Sequence, residues 1–172
     1  MKADEKYRII LCGDNMATKT NAVRLVEQAQ IPCREQFYEF DENDLSGTHA
    51  AEAIGMPPEQ VFKTLVARGE KTGINVFCIP VCCELSLKKA AKAAGDKNME
   101  LVPVKELLAL TGYIRGGCSP VGMKKKYPTF IDETCILWEE IAVSAGARGH
   151  QMLVPPEALA SLVQAELIDL II

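Results

Sequence analysis

Residues 61–80 read VFKTLVARGEKTGINVFCIP. Two apolar runs, rich in β-branched and aromatic residues, flank a GEKTG segment with glycine at both ends. That pattern predicts two strands joined by a hairpin. It sets an antiparallel pair into the core, and the remaining elements must pack around it.

Those elements are short. Apolar residues at helical spacing mark a helix over 20–30, stopped by Pro32. Residues 35–40 read as a strand, 41–47 as a polar loop, and 48–54 as a helix capped by Thr48 and ended by Gly55. Pro57 and Pro58 start a turn into the first strand of the hairpin. Ser86 caps a helix through Ala94 that Gly95 closes. A short strand at 100–102 precedes a helix running from Pro103 to near Leu110. Further strands follow at 127–131, 141–144 and 151–154, and Pro155–Pro156 opens a last helix. Hairpins are common and helices do not alternate strictly with strands. The pattern favours an α+β fold with a mixed sheet over a doubly wound one. Residues 1–17 show no clear periodicity and read as a frayed tail or an added strand. With no repeat and no linker, 18–172 reads as one domain.

At 172 residues and 48% hydrophobic, such a domain can bury an ordinary core. No run approaches the roughly 18 apolar residues of a membrane helix, and residues 7–12 are too short for a signal peptide, so a cytosolic location is expected. Seven cysteines without a CxxC pair, and only two histidines, offer no zinc ligand set. The thiols read as reduced, small hydrophobes. Residues 63–126 carry 12 Lys+Arg against 5 Asp+Glu, whereas the whole chain carries 19 against 23. This is either a basic face set against an acidic one or a chance segregation of surface charge.

Residues 111–122, TGYIRGGCSPVG, form a glycine-rich loop. It lacks GxGxxG, and Met123 stands where a Walker A loop needs lysine. Gly117-Cys118-Ser119 begins like a nucleophile elbow, but Pro120 removes the backbone N–H that an oxyanion hole would take from the next residue. What remains is backbone freedom at Gly112, Gly116, Gly117 and Gly122, either for close approach of a ligand or for a structural turn. Lys63 interrupts the apolar strand 61–66 and shares a face with Val61 and Leu65. It is either functional or the lysine of an edge strand reaching water. VSAGARG at 143–149 places Ser144 among small residues, as a pocket wall or an ordinary turn. Lys88, Lys89, Lys92 and Lys97, with Arg115 and Lys124–Lys126, are either phosphate contacts or a solvent-facing lysine surface. His49 and His150 read as structural or surface residues.

VFKTLV at 61–66, LSLKKAAKAAG at 85–95, TGYIRGGCSPVGMKKK at 111–126 and VSAGARG at 143–149 together resemble the YbaK/EbsC family of aminoacyl-tRNA deacylases. That family is related to the editing insertion of bacterial prolyl-tRNA synthetase. The resemblance runs from about residue 18 to the C-terminus. It implies a mixed, largely antiparallel, barrel-like sheet surrounded by helices. It also implies hydrolysis of a mischarged aminoacyl-tRNA ester, with Cys-tRNA(Pro) as substrate and prolyl-tRNA synthetase as a partner. Lys63 takes the place of the family's essential lysine, with Thr64 beside it. Tyr38 matches an aromatic residue near the pocket, Gly116 and Gly117 match the loop facing the aminoacyl group, and Ser144 matches a pocket serine. In the chemistry so implied, the substrate's own thiol attacks its ester carbonyl, releasing a cyclic thiolactone and tRNA, and neither metal nor cofactor is called for. The chain departs from the pattern at Ala145, Ala147 and Gln151, the last standing where some members have aspartate. Those departures leave open a smaller substrate such as alanine, and a module that binds tRNA or synthetase without catalysis stays as the alternative.

Overall fold

The hairpin forms as β3 (Phe62–Gly69) and β4 (Gly73–Pro80), antiparallel along their whole length with Phe62 opposite Pro80 and Gly69 opposite Gly73. Gly73 takes φ +71° at the turn, a conformation that favours glycine. The structure, a computed structural model, describes residues 9–10 and 19–172. The expectation for 1–17 falls outside them, apart from β1 (Ile9–Ile10), which pairs antiparallel with β2 (Arg34–Phe37).

Around the hairpin lies a five-stranded sheet in the order β5-β3-β4-β6-β9, where β5 is Met99–Leu101, β6 is Thr129–Asp132 and β9 is Glu166–Ile168. β6 and β9 join in parallel, so this sheet is mixed. A second sheet, β1-β2-β8-β7, is antiparallel throughout, with β7 at Ile141–Ala147 and β8 at His150–Val154. The α+β architecture with helices around a mixed sheet is as expected. The barrel-like closure is not: the strands form two open sheets, linked where Val61 bridges in parallel to Ala142. β5 is three residues long and pairs with β3 only from Ala67 to Gly69, so it cannot carry the sheet around to closure.

Among the described residues, five helices cover the sheets: α1 (Asn21–Gln28), α2 (Gly47–Ile54), α3 (Leu87–Ala94), α4 (Val104–Thr111) and α5 (Pro156–Val163). Ser86 and Gly95 cap α3 as the sequence indicates. The cap of α2 is Ser46 rather than Thr48, its hydroxyl accepting from the His49 amide at 3.3 Å. Gly47 is needed at the first helical position, because a Cβ there would lie 2.3 Å from Val81 Cγ1. Phe62, Cys78, Ile131, Val143 and Met152 build the core between the sheets, with α1 and α5 packed on it. Phe77, Ile79, Ala90 and Leu170 fill a second core under α3. No helix of the described residues is long and apolar enough to cross a membrane.

Candidate active site

The short β5 leaves a gap. On the side away from β4, β3 is bridged to β7 at Val61 and held by β5 from Ala67, with the Val102 amide donating to the Val66 carbonyl at 3.0 Å. Between those points its outer edge has no strand partner among the described residues. Backbone groups alternate sides along a strand. The Val61 carbonyl accepts from Val81 on the β4 side, so Thr64 turns its N–H and C=O outward. A cavity of about 550 Å³ opens there, within the size range of small-molecule sites.

Into this cavity the fold brings Lys63 and Thr64 from β3, Tyr38 from the segment after β2, Gly116 from the glycine-rich loop, and Ser144 and Gln151 from β7 and β8. Lys63 is half-buried and makes no hydrogen bond or ion pair among the described residues. Its ammonium is left for a ligand. Ser144 and Gln151 sit opposite each other in the β7–β8 register, at the edge of a bulge that runs to Ala147. The Ser144 hydroxyl accepts from the Gly146 amide at 3.2 Å. Burial pushes the Tyr38 phenol above its ordinary pKa, against the opposing effect of a hydrogen bond with the Gln151 side chain. Gln151 Oε1 is buried without a partner among the described residues.

Gly116 and Gly117 separate in role. Gly116 has φ +84° and lines the cavity. Gly117 lies behind it, where a Cβ would come within 3.1 Å of the Ala147 carbonyl carbon and the Arg148 nitrogen. Its own amide already donates to the Ile114 carbonyl at 3.0 Å. Gly117 therefore lets the loop close onto the β7–β8 turn, and the loop amide it would have offered to a ligand is already engaged. Gly112 is the left-handed cap of α4. Arg148 Nε donates to the Arg115 carbonyl at 2.9 Å, a second tie between loop and turn.

The loop's own hydroxyl and thiol are not poised to react. Ser119 is fully buried and its Oγ accepts from the Val121 amide at 3.2 Å. Burial pushes the Cys118 thiol up to about 12, which removes the thiolate a nucleophile needs. Cys78, Cys82, Cys83, Cys118 and Cys135 form no disulfide, and among the described residues no group of three or more His, Cys, Asp and Glu could hold a metal ion.

Three features have no signal in the sequence pattern. The 45–50 segment with Val81 closes one side of the cavity, and Leu101, Val102, Val104 and Leu107 line its far end. Buried Glu35 bonds His150 Nε2 at 2.9 Å, so His150 is structural as expected but has a partner 115 residues away. One member of the basic clusters is engaged within the fold, Lys89 pairing with Asp169, and Arg68 outside them pairs with Glu106.

Two open sheets and a lysine at a free strand edge, faced by a glycine-built wall, describe a ligand cleft. The chain belongs to the aminoacyl-tRNA editing domain family, whose model matches residues 45–162. Within it, the chain falls in the YbaK/EbsC group. A candidate Cys-tRNA(Pro)/Cys-tRNA(Cys) deacylase, EbsC from Enterococcus faecalis, is 47% identical over 152 residues, 88% of this chain and 93% of the relative. A proline–tRNA ligase from Shouchella clausii is 31% identical over 101 residues, 59% of this chain but 18% of the ligase. The crystal structure of a candidate trans-editing enzyme for prolyl-tRNA synthetase superposes with a TM-score of 0.74 at 26% identity, covering 90% of this chain and 99% of that one.

Proposed function

We propose that the protein is a trans-editing deacylase that cleaves the ester of mischarged aminoacyl-tRNA, with Cys-tRNA(Pro) as its substrate. One observation carries the reading: Lys63, Thr64, Tyr38, Gly116 and Ser144, drawn from distant parts of the chain, converge on one cavity at the free edge of β3. The family and the name of the 47% identical relative support the same reaction. Residues 18–172 act as the editing domain, working in the cytoplasm on tRNA(Pro) with prolyl-tRNA synthetase as partner.

The reacting nucleophile comes from the substrate: Ser119 is fully buried outside the cavity, and Cys118, which does line it, has its thiol pushed up by burial. The cysteinyl sulfur attacks its own ester carbonyl, forming a C–S bond. The bond from that carbon to the ribose oxygen then breaks, and the thiol proton ends on that oxygen. The products are a β-thiolactone and free tRNA. Charge develops on the carbonyl oxygen in the transition state, and the Lys63 ammonium and the Gly116 amide stabilise it. Tyr38, Ser144 and Gln151 hold the aminoacyl group in the attack geometry, and Thr64 borders the ester. The basic surface, including Arg115 and Lys124–Lys126, supplies salt-sensitive, sequence-blind backbone contacts.

The test is a deacylation panel with Cys-, Ala- and Ser-charged tRNA(Pro). Cys-tRNA(Pro) is cleaved fastest, Ser-tRNA(Pro) slowest, and Cys118→Ala retains most of the activity. No cleavage of any of the three above the uncatalysed rate would remove the enzymatic reading and leave the binding module. A folded but inactive Cys118→Ala protein would instead point to a protein nucleophile.

A further inference from the structure

Val81, Cys82, Cys83 and Glu84 form the turn that leaves β4, and the fold pins that turn at both ends. The Val81 amide donates to the Val61 carbonyl at 2.8 Å, and the Ile172 amide donates to the Glu84 carbonyl at 3.2 Å. Inside the turn the Cys83 amide donates to the Pro80 carbonyl at 3.0 Å. There the two neighbouring thiols meet, with their Sγ atoms 3.8 Å apart. Cys82 is exposed and Cys83 is half-buried, so solvent reaches the pair.

Packing does not account for this pair. Cysteines that serve as small hydrophobes are buried, as Cys78, Cys118 and Cys135 are. Burial pushes the Cys78 and Cys118 thiols up to about 12 and that of Cys135 to about 11, which leaves them inert. Burial, then Cys82 and Asp132, also hold the Cys83 thiol above its ordinary pKa, with Lys63 opposing. Exposed Cys82 is therefore the thiol that meets an oxidant, and Cys83 the one beside it that resolves the product.

The turn also reaches the cleft. Val81 lines the cavity and packs with Ala51 and Ile54 of α2. It lies so close to Gly47 that no Cβ fits there, and Ser46, Gly47 and Thr48 line the same cavity. A shift of Val81 is carried to the first turn of α2.

We infer that Cys82 and Cys83 form a redox modification site that governs the cleft, closed into a vicinal disulfide by a peroxide-class oxidant and reopened by a thiol. The Cys82 sulfur attacks one peroxide oxygen, the O–O bond breaks, and a sulfenic acid and one water result. The Cys83 sulfur then attacks the Cys82 sulfur. The S–S bond forms, the S–O bond breaks, and the hydroxyl leaves as a second water with the Cys83 proton. Two thiols lose two electrons and one peroxide gains them. Adjacent Cα atoms stand about 3.8 Å apart, less than the usual 4.4–6.8 Å of a disulfide. The ring therefore twists the peptide that it spans, disturbs the Cys83–Pro80 bond beside Val81, and is readily reduced. The effect on the cleft rests on the deacylase reading, whereas closure of the ring does not.

The test treats the full chain with hydrogen peroxide, blocks the remaining thiols, and locates the modification by peptide fragmentation. A loss of two hydrogens should fall on residues 82–83, be reversed by dithiothreitol, and be absent from Cys82→Ser. Closure should lower Cys-tRNA(Pro) cleavage about 10²-fold, the cost of misplacing a bound group by about 1 Å. Cys82→Ser should cleave at the parent rate before and after peroxide. Oxidation that stops at Cys82 without a ring, a disulfide elsewhere, or a closed ring that leaves an active enzyme unslowed would each overturn the proposal. If the ring closes and no charged tRNA is cleaved even when reduced, the deacylase reading falls and the modification site stands without its link to the cleft. If charged tRNA is cleaved and no ring forms, the deacylase reading stands and the modification site falls.

Discussion

His150 and Gln151 are neighbours on β8, yet they project to opposite faces of the same sheet. Their exposures are 7% and 6%, so burial does not tell them apart. On one face His150 bonds Glu35 at 2.9 Å and stacks on Phe37 with ring centroids 4.1 Å apart. On the other, Gln151 stands opposite Ser144, lines the cavity and keeps Oε1 without a partner among the described residues. Buried polar groups are ordinarily hydrogen-bonded. The satisfied pair serves the fold, whereas Gln151 Oε1, like Asn75 Oδ1, has no partner among the described residues, and of those two amides only Gln151 lines the cavity. Substitutions on the cleft face should cost activity and spare stability, and substitutions on the core face should do the reverse.

The strongest test of that division is Lys63→Ala. Removing one preorganised group that stabilises developing charge costs about 10²–10³-fold in rate, and deacylation of Cys-tRNA(Pro) should fall by that factor. Lys63 makes no hydrogen bond or ion pair among the described residues, so the thermal midpoint should stay within about a degree or two of the parent, as surface changes do. A large loss of stability in Lys63→Ala would mean that the lysine holds the fold.

Glu35→Ala comes next, with the opposite signature. It leaves His150 buried without its partner, at a cost of roughly 2–3 kcal/mol in denaturant unfolding. Activity per folded molecule should be retained. A fully stable Glu35→Ala protein with impaired deacylation would place the pair in the site and collapse the contrast between the two faces.

Much of this arrangement is legible in the sequence, and what is not has physical reasons. The hairpin can be read from 61–80 because both strands and their turn lie within that one short stretch. Lys63, Gly116 and Ser144 stand out in the sequence with structural alternatives beside them, whereas Tyr38 and Thr64 can be read only through resemblance, and the five do meet at one cavity. Gly117 cannot be told from Gly116 in sequence, because two adjacent glycines look alike there. Only the contact with the Ala147 and Arg148 backbone separates them. The Glu35–His150 pair has no local signal, since its partners are 115 residues apart and meet through the β2–β8 pairing. The parallel strand β9 is three residues long, with no alternation to announce it. Closure into a barrel fails on the length of β5, which no pattern in residues 100–102 reveals.

Gln151→Leu should separate the two costs within one residue. A buried amide oxygen left without a partner, as Gln151 Oε1 is among the described residues, costs roughly 1–3 kcal/mol. Replacing it with an apolar side chain of similar size should raise stability by about 1 kcal/mol while lowering kcat/KM for Cys-tRNA(Pro). Such opposed changes are expected where a site is held at the expense of the fold. A variant less stable than the parent would show that Gln151 is satisfied after all, through water or through Tyr38.

The smallest effect is on pH. Burial holds the His150 pKa below its ordinary 6.5, outweighing the nearby Glu35 that acts to raise it. The unfolded chain then binds a proton more readily than the native one as pH falls below about 6.5, so unfolding is favoured by acid through this residue. Above that pH both states carry neutral imidazole and the contribution vanishes. Stability measured by denaturant should therefore decline as pH is lowered from about 6.5 toward the folded pKa. His150→Gln should flatten that decline, because its side chain does not titrate. His49 does not share this burial; its side chain is 33% exposed and lies 3.8 Å from Asp44. A decline that persists unchanged in His150→Gln would assign the acid sensitivity to another group and leave the core-face pair insensitive to protons in this range.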